Sequence, residues 1–312
     1  MFKYISKRLL MMIPVLIGVA FIIFTIMDFT PGDPARLILG EYAAQEDIDA
    51  LREEMGLNEN FFVRFGTYVK GAVTGDFGKS YRNNLPVSNE VGSRLPTTLK
   101  LTFLGMTLAV FIGIPIGVLS AVKQYTIIDN VTLIAALLLT SIPGFWLGLM
   151  MILFFSLRLD LLPATGIDSM KHFIMPSITL AAGTMATLIR MTRSTMLEVI
   201  RQDYIRTAKA KGGNEKRIIF IHALRNALLP VITLVGVNFG ILLGGAVVIE
   251  AVFAIPGLGT LMIGAVRAKD TPVLIATVTC IALIGGLITL IVDILYIFID
   301  PRIKSQYVKG SR

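Results

Sequence analysis

Six long apolar segments constrain the fold of this chain more than any other feature of its sequence. Each approaches or exceeds the roughly 20 apolar residues that a helix needs to cross a bilayer. The segments are Leu9–Phe29, Leu99–Val122, Val131–Leu157, Phe173–Ile189, Leu228–Phe253 and Val273–Ile299. Only 16% of the residues are charged, against about 25% in soluble domains. The sequence therefore predicts an all-α integral membrane protein with six transmembrane helices.

The first apolar segment follows Lys3, Lys7 and Arg8, an arrangement that also begins secretory signal peptides. Its apolar run exceeds the roughly 7–15 residues of a signal-peptide core, and no A-x-A cleavage pattern follows it. We therefore expect a retained transmembrane helix.

Basic residues collect in the cytoplasmic loops of membrane proteins, so their positions predict the orientation. With the N-terminus inside, 17 of the 29 Lys and Arg residues lie on the cytoplasmic side. Of the other 12, 7 fall in one long outer segment, Thr30–Thr98, and long translocated segments obey the charge rule weakly. We therefore expect both termini in the cytoplasm.

This topology divides the chain into four parts. They are a cytoplasmic N-terminus with the first helix (residues 1–29), an extracytoplasmic subdomain (30–98), a five-helix core (99–300) and a cytoplasmic tail (301–312). Within the outer subdomain, Ile48, Leu51 and Met55 recur at helical spacing, and Gly56 suits the end of a helix. This pattern favours a small folded subdomain over a simple linker.

A second long loop, residues 191–227, is predicted in the cytoplasm and holds the densest cationic patch of the chain. The sequence VIRQDYIRTAKAK, which ends at Lys211, predicts a helix that stops at Gly212 and Gly213. Asn214 then suits the N-cap of a second helix that continues into the fifth span. A rigid helix–turn–helix of this kind is suited to docking a soluble partner, although the same charges would also anchor a plain loop inside.

The sequence DYIRTAKAKGGNEKRIIFIHALRNALLPVI, residues 203–232, resembles the signature loop of permease subunits of ABC importers. The general signature is E-A-A, three residues, G, nine residues, then I-x-L-P. Gly212 matches its glycine, but Arg206-Thr207-Ala208 replaces E-A-A and Leu229-Pro230 lies five residues beyond the general spacing. The T-A-x-A-K-G and H-A-L-R-N-A-L patterns instead resemble the dipeptide/oligopeptide/nickel permease family.

Further motifs that resemble this family occur in order along nearly the whole chain. They are TPGDPA, LREEMGLN, GDFGKSY, LPTTLKLT, SIPGFWLG, RLDLLPATG, GGAVVIEAVFAIPGLGTL and DILYIFIDPRI. So many ordered matches make the resemblance specific.

The resemblance implies a permease subunit of an ATP-driven importer in a bacterial or archaeal cytoplasmic membrane. Such a chain forms half of the translocation pathway, here for di- or oligopeptides by alternating access, with nickel (or a nickel chelate) and glutathione as alternative solutes. It implies a heterodimer with a second homologous permease, two ATP-binding subunits and an extracytoplasmic solute-binding protein. It implies a surrounding lipid bilayer, no nucleic acid, and no enzymatic site in this chain.

The cytoplasmic helix–turn–helix resembles the family's coupling helix, which docks on an ATP-binding subunit. The residues assigned to this coupling are Thr207, Ala208, Lys209, Ala210, Lys211, Gly212, Gly213, Glu215 and Arg217. Their positive charges would complement acidic groups on the partner.

No cofactor is expected on this chain, and ATP and Mg²⁺ are expected on the partner subunits. Gly78-Lys79-Ser80 ends like a phosphate-binding loop, but Val73 occupies the position at which that motif needs glycine. Cys280 is the sole cysteine, and His172 and His222 lie far apart, so no metal site is predicted.

Candidates for a pathway or gate lie near breaks and ends of the spans. They are Pro143, Trp146, Glu250, Phe253, Pro256 and Gly257. Proline interrupts helical hydrogen bonding, and an ionisable group inside a span is costly and commonly functional. Alternatives remain open: Pro143 as a purely structural kink, Glu250 as a local cap or ion pair, and Trp146 as ordinary packing.

Two other classes of protein are possible for a six-span chain. An ion-driven secondary transporter would need intramembrane ionisable residues, and the predicted spans carry almost none. An intramembrane enzyme would need a motif such as H-E-x-x-H or G-x-S-x-G, or paired intramembrane Asp, and the sequence has none of these.

Overall fold

The computed structural model describes residues 2–40 and 42–299, which form thirteen α-helices and two π-helical turns. The helices are α1 (Phe2–Phe29), α2 (Pro34–Leu39), α3 (Gln45–Glu54), α4 (Phe61–Thr74), α5 (Val87–Val122), α6 (Ile127–Ser141), α7 (Gly144–Met151), α8 (Lys171–Ile200), α9 (Asp203–Ala210), α10 (Glu215–Arg217), α11 (Leu224–Val252), α12 (Leu258–Ala268) and α13 (Thr271–Ile299). The π-helical turns are Ile152–Arg158 and Ile218–Ala223. The predicted tail, residues 301–312, lies outside the described residues.

The prediction of an all-α membrane protein is confirmed. Five stretches of the described chain are long and apolar enough to cross a membrane, namely Tyr4–Phe29, Val87–Val122, Lys171–Ile200, Glu215–Val252 and Thr271–Ile294. The pair Ile127–Ser141 and Gly144–Arg158 gives a sixth crossing if it forms one span.

This pair is bent by 99° at Ile142–Pro143. Proline disfavours helical backbone in the residue before it, and Ile142 is accordingly extended, with ψ 122°. The predicted interruption of the third span is therefore a sharp break rather than a slight kink.

The largest extensions of helices beyond the predicted apolar runs are those of α5 and α8. Helix α5 begins at Val87, twelve residues before the predicted start of the span, because Val87 and Val91 share a buried helical face. Helix α8 continues from Ile189 to Ile200 because Thr192 and Met196 keep one face fully buried. The first ten residues of the predicted 191–227 loop are therefore helix.

The chain divides into two compact units: Met1–Leu99 with Ala254–Gly286, and Lys100–Phe253 with Leu287–Arg312. In the first unit, the C-terminal end of α1 packs against α12 and against the first turns of α5 and α13 in one apolar cluster. A second cluster joins Ala20 and Phe24 of α1 to Phe61, Phe65 and Tyr68 of α4. The helix predicted from the spacing of Ile48, Leu51 and Met55 is present as α3 (Gln45–Glu54), and its Ile48 is buried.

Lys269 and Asp270, between α12 and α13, hold the first unit together through polar contacts. The Lys269 ammonium donates to the carbonyl oxygens of Thr30 at 2.6 Å and Gly32 at 2.8 Å. Burial lowers the pKa of Lys269, while the nearby Asp33 carboxylate acts in the opposite direction. The Asp270 carboxylate, 3% exposed, accepts a hydrogen bond from the Ser80 hydroxyl.

We expect Asp270→Ala to lower the free energy of unfolding by about 1–3 kcal/mol, because the buried Ser80 hydroxyl loses its acceptor. Thermal unfolding of the purified protein in detergent measures this loss. Arg267→Ala is the matched control, since Arg267 is exposed on the last turn of α12. Equal unfolding temperatures for the two variants would show that the contact contributes nothing.

In the second unit, α8 is the central helix and packs against α6, α7 and α11. Ala181 and Leu188 of α8 meet Ala109 of α5 and Val231 of α11 in one buried cluster. A separate cluster joins Ala136 of α6 to the same helix. The C-terminal part of α5, together with α8 and α11, supports residues 203–217.

Candidate functional site

The predicted helix–turn–helix is present as residues 203–217, hereafter the 203–217 segment. Helix α9 ends at Ala210, and Gly212 then adopts φ +75°, a left-handed conformation that favours glycine. The Gly213 N–H bonds to the Ala208 carbonyl at 3.2 Å. The predicted N-cap is confirmed, since the Asn214 side chain accepts from Lys216 N at 3.0 Å.

The start of this segment differs from the prediction of one continuous helix over VIRQDYIRTAKAK. Helix α8 ends at Ile200, Gln202 is extended with ψ 149°, and α9 begins at Asp203. The break turns α9 into a separate short helix. It can therefore lie against the ends of other helices rather than extend α8.

Buried apolar side chains fix the segment to the ends of three long helices. Ile205 of α9 and Ile218, just after α10, are 1% and 3% exposed. They share one cluster with Val118 of α5, Met196 of α8 and Ala227 of α11. The segment therefore cannot move without displacing these helix ends.

A polar contact adds to this attachment. The Asn226 amide of α11 donates to the Tyr204 hydroxyl of α9 at 2.9 Å. Gly213 also lies so close to α9 that a Cβ there would come within 2.9 Å of the Ala208 carbonyl oxygen. The turn is therefore compact as well as anchored.

The side of the 203–217 segment opposite its buried residues is exposed. Of the nine residues assigned to coupling, Ala208 is half-buried, and the rest are exposed, namely Thr207, Lys209, Ala210, Lys211, Gly212, Gly213, Glu215 and Arg217. The structure brings these residues together on one compact protrusion. Small side chains beside cationic ones allow close approach by an acidic surface.

The candidate gate residues fall into both units. In the second unit, Pro143 lies at the bend before α7, Trp146 is 46% exposed on α7, and Glu250 and Phe253 are fully buried at the end of α11. A Cβ at Gly148 of α7 would lie 3.1 Å from the Phe253 ring. The last turn of α11 therefore packs tightly against α7.

The other two gate candidates, Pro256 and Gly257, belong to the first unit. Pro256 is exposed and Gly257 is buried as the N-cap of α12. The Leu258 N–H there donates to the Thr98 hydroxyl at 2.8 Å. Within the first unit, these contacts account for Gly257 as the structural N-cap of α12.

Sequence reasoning missed one buried ion pair in the second unit. Arg193 falls in the loop 191–227 that the sequence predicts in the cytoplasm, and Asp129 is not among the candidate residues. The structure joins them at 2.6 Å between Arg193 Nε and Asp129 Oδ1. The only signal in the sequence is an aspartate just before an apolar span, which by itself does not reveal its partner.

These features define a polytopic membrane protein with an anchored, exposed helix–turn–helix beside its longest helices. The chain belongs to the family of binding-protein-dependent transport system inner membrane components, whose model matches residues 113–305. A model of the N-terminal part of such membrane components matches residues 1–102. The chain is thus a multi-pass inner membrane permease component of an ABC importer, and the resemblance inferred from its motifs is confirmed.

Two relatives align over almost the whole chain. The dipeptide transport system permease protein DppB of Alkalihalophilus pseudofirmus is 42% identical, over 97% of this chain and 100% of the relative. The glutathione transport system permease protein GsiC of Escherichia coli strain K12 is also 42% identical, over 98% of this chain and 100% of the relative.

Solved structures support the fold. An inward-facing structure of the MetNI methionine ABC transporter matches with a TM-score of 0.58 and 20% identity, covering 68% of this chain and 96% of that chain. A crystal structure of an amino acid ABC transporter with histidines matches with a TM-score of 0.52 and 18% identity, over 69% of this chain and 94% of that chain.

Proposed function

We propose that this chain forms half of the translocation pathway of an ATP-driven importer for di- or oligopeptides. One observation carries the proposal. The 203–217 segment is exposed on the side opposite its buried residues, and Ile205 and Ile218 fix it to the ends of α5, α8 and α11. A partner that moves this segment must also move those helices. The mechanism is alternating access, in which packed helices rearrange between discrete states.

The assembly comprises a second homologous permease, two ATP-binding subunits and an extracytoplasmic solute-binding protein. ATP and Mg²⁺ bind to the ATP-binding subunits, and this chain performs no hydrolysis. The 203–217 segment docks on one of these subunits, where Lys209, Lys211 and Arg217 meet acidic groups. Exposed ion pairs of this kind contribute about 0–1 kcal/mol each, so shape complementarity supplies much of the affinity.

The orientation follows from the same proposal. The ATP-binding subunits are cytoplasmic, so the 203–217 segment and both termini lie inside and residues 30–98 lie outside. The bias of basic residues toward these inner segments supports this topology. The gate lies in the second unit, where Phe253, close in sequence to the buried Glu250, packs against Gly148 of α7, the helix that follows the bend at Ile142–Pro143.

The named solutes of the two relatives support a peptide solute. Dipeptides and glutathione both carry peptide-type amides and ionised end groups, so one pathway chemistry suits both. Nickel, free or chelated, remains the alternative solute within this importer type. An ion-driven secondary transporter is the rival of a different class.

The experiment is purification of the tagged chain in mild detergent from its own host, with mass spectrometry of the co-purifying chains and an assay of ATP hydrolysis. We expect a second permease, ATP-binding subunits and ATPase activity. A captured binding protein would then be titrated with a dipeptide, glutathione and Ni²⁺. A self-associated chain without ATPase activity would contradict the proposal and favour the ion-driven transporter.

A further inference from the structure

Asp129, in the first turn of α6, is a buried carboxylate with a complete set of hydrogen bonds. It is 1% exposed. Its oxygens accept from Arg193 Nε at 2.6 Å and Nη2 at 2.8 Å, from the Ser120 hydroxyl at 2.6 Å and from Tyr125 N at 3.0 Å. One side chain therefore connects the last turn of α5, the following loop, α6 and α8.

The geometry of this pair is more restrictive than stability alone requires. A guanidinium and a carboxylate joined by two parallel bonds fix both distance and angle. Replacing a buried ion pair with apolar residues of similar size is often neutral or stabilising, whereas removing one partner is strongly destabilising. The contact that Asp129 and Arg193 make therefore sets the relative position of α6 and α8 more tightly than apolar packing would.

The pair lies beside the attachment of the 203–217 segment. Arg193 is three residues before Met196, so the two side chains are neighbours on α8. Met196 is fully buried in the cluster that holds Ile205 and Ile218. Displacement of α9 therefore presses on the turn of α8 that carries Arg193.

The other end of α6 leads to the bend in the third span. Helix α6 runs unbroken from the turn that carries Asp129 to Ser141, and Ala136 in its middle packs against Ala186 and Ile189 of α8. After the extended Ile142, the chain turns by 99°. A rotation of α6 about its fixed end would therefore change the angle at this bend.

We propose that the Asp129–Arg193 ion pair is the joint that transmits movement of the 203–217 segment to α6 and the bend at Ile142–Pro143. Asp129 and Arg193 are positioning residues: they act through the angle between α6 and α8 and need not touch the solute. This inference rests on the proposed docking of the 203–217 segment to an ATP-binding subunit.

The test measures a coupling ratio, defined as labelled solute taken up per ATP hydrolysed by the purified importer in proteoliposomes. The probe is a labelled dipeptide or labelled glutathione, whichever the wild-type complex takes up. Stimulation of ATP hydrolysis by the captured binding protein is a second readout. Arg193→Lys keeps the charge but cannot make both bonds. We expect its coupling ratio to fall at least about tenfold, which corresponds to the loss of one hydrogen bond to a charged group.

The apolar pair Asp129→Leu with Arg193→Met separates structure from coupling. Made together with Ser120→Ala, so that neither an unpaired charge nor an unpaired buried hydroxyl remains, this pair is expected to assemble and to unfold near the wild-type temperature, yet to keep a lowered coupling ratio. Arg190→Met, an exposed position one turn earlier on α8, is the matched control and is expected to behave like wild type.

Each outcome decides the proposal. A wild-type coupling ratio in the apolar pair would show that the contact is only structural and would overturn the inference. If the apolar pair does not assemble, Arg193→Lys decides: a wild-type ratio there refutes the joint and a lowered ratio supports it. A wild-type chain that purifies without ATP-binding subunits would instead refute the proposed function itself.

Discussion

Replacing Gly212 with valine is expected to lower ATP-driven uptake about tenfold while the chain remains inserted in the membrane. Gly212 has φ +75°, and a non-glycine residue in the left-handed region costs about 1–2 kcal/mol. The turn relieves this strain by changing its backbone, which shifts α9 relative to α10. A cost near 1.4 kcal/mol reduces the population of the docking-competent turn about tenfold.

The matched control is Gly56→Val, because Gly56 has φ +66° and open space at its Cβ position, as Gly212 does. Both variants carry similar backbone strain, but Gly56 lies in the first unit, beyond the end of α3. Uptake and ATPase activity are measured at equal membrane abundance. Similar losses in the two variants would attribute the effect to general destabilisation and contradict a coupling role for the segment.

The features of the candidate site that the sequence predicted depend on short-range chemistry. A glycine pair ends a helix and an asparagine caps the next one whatever surrounds them, so Gly212 and Asn214 were identified without a structure. The six apolar segments were visible for a similar reason, since crossing a bilayer demands continuous hydrophobicity. The break at Gln202 has no such local signal.

The misplaced helix ends have a different cause. Arg190 and Arg193 appeared to end the fourth span, because hydropathy treats every arginine as a solvated charge. Arg193 is neutralised by Asp129, 64 residues earlier in the chain, and a contact at that separation is invisible to a local pattern. The early start of α5 had a weak signal, since Val87, Val91 and Leu95 recur four residues apart.

The second large effect is expected from Gly117→Val in α5, which we predict lowers the unfolding temperature of the detergent-purified protein by several degrees. A Cβ at position 117 would lie 2.7 Å from the Ile189 carbonyl oxygen and 2.7 Å from the Thr192 Cβ of α8. Backbone atoms cannot move aside as a flexible side chain does, so α5 and α8 must separate. Overpacking of this kind costs about 1–3 kcal/mol, more than the fraction of about 1 kcal/mol that valine recovers over glycine in helix propensity.

The matched control is Gly92→Val in the same helix, since Gly92 is exposed and a Cβ there meets nothing within 4 Å. Gly117 also lies one turn before Ser120. Asp129 is bonded both to Ser120 of α5 and to Arg193 of α8, so separating these helices strains its two contacts. Uptake by Gly117→Val should therefore fall further than its abundance does. An unfolding temperature equal to that of Gly92→Val would show that α5 and α8 can part without loss. The close approach of α5 and α8 would then result from the small size of Gly117 and would not be required by the fold.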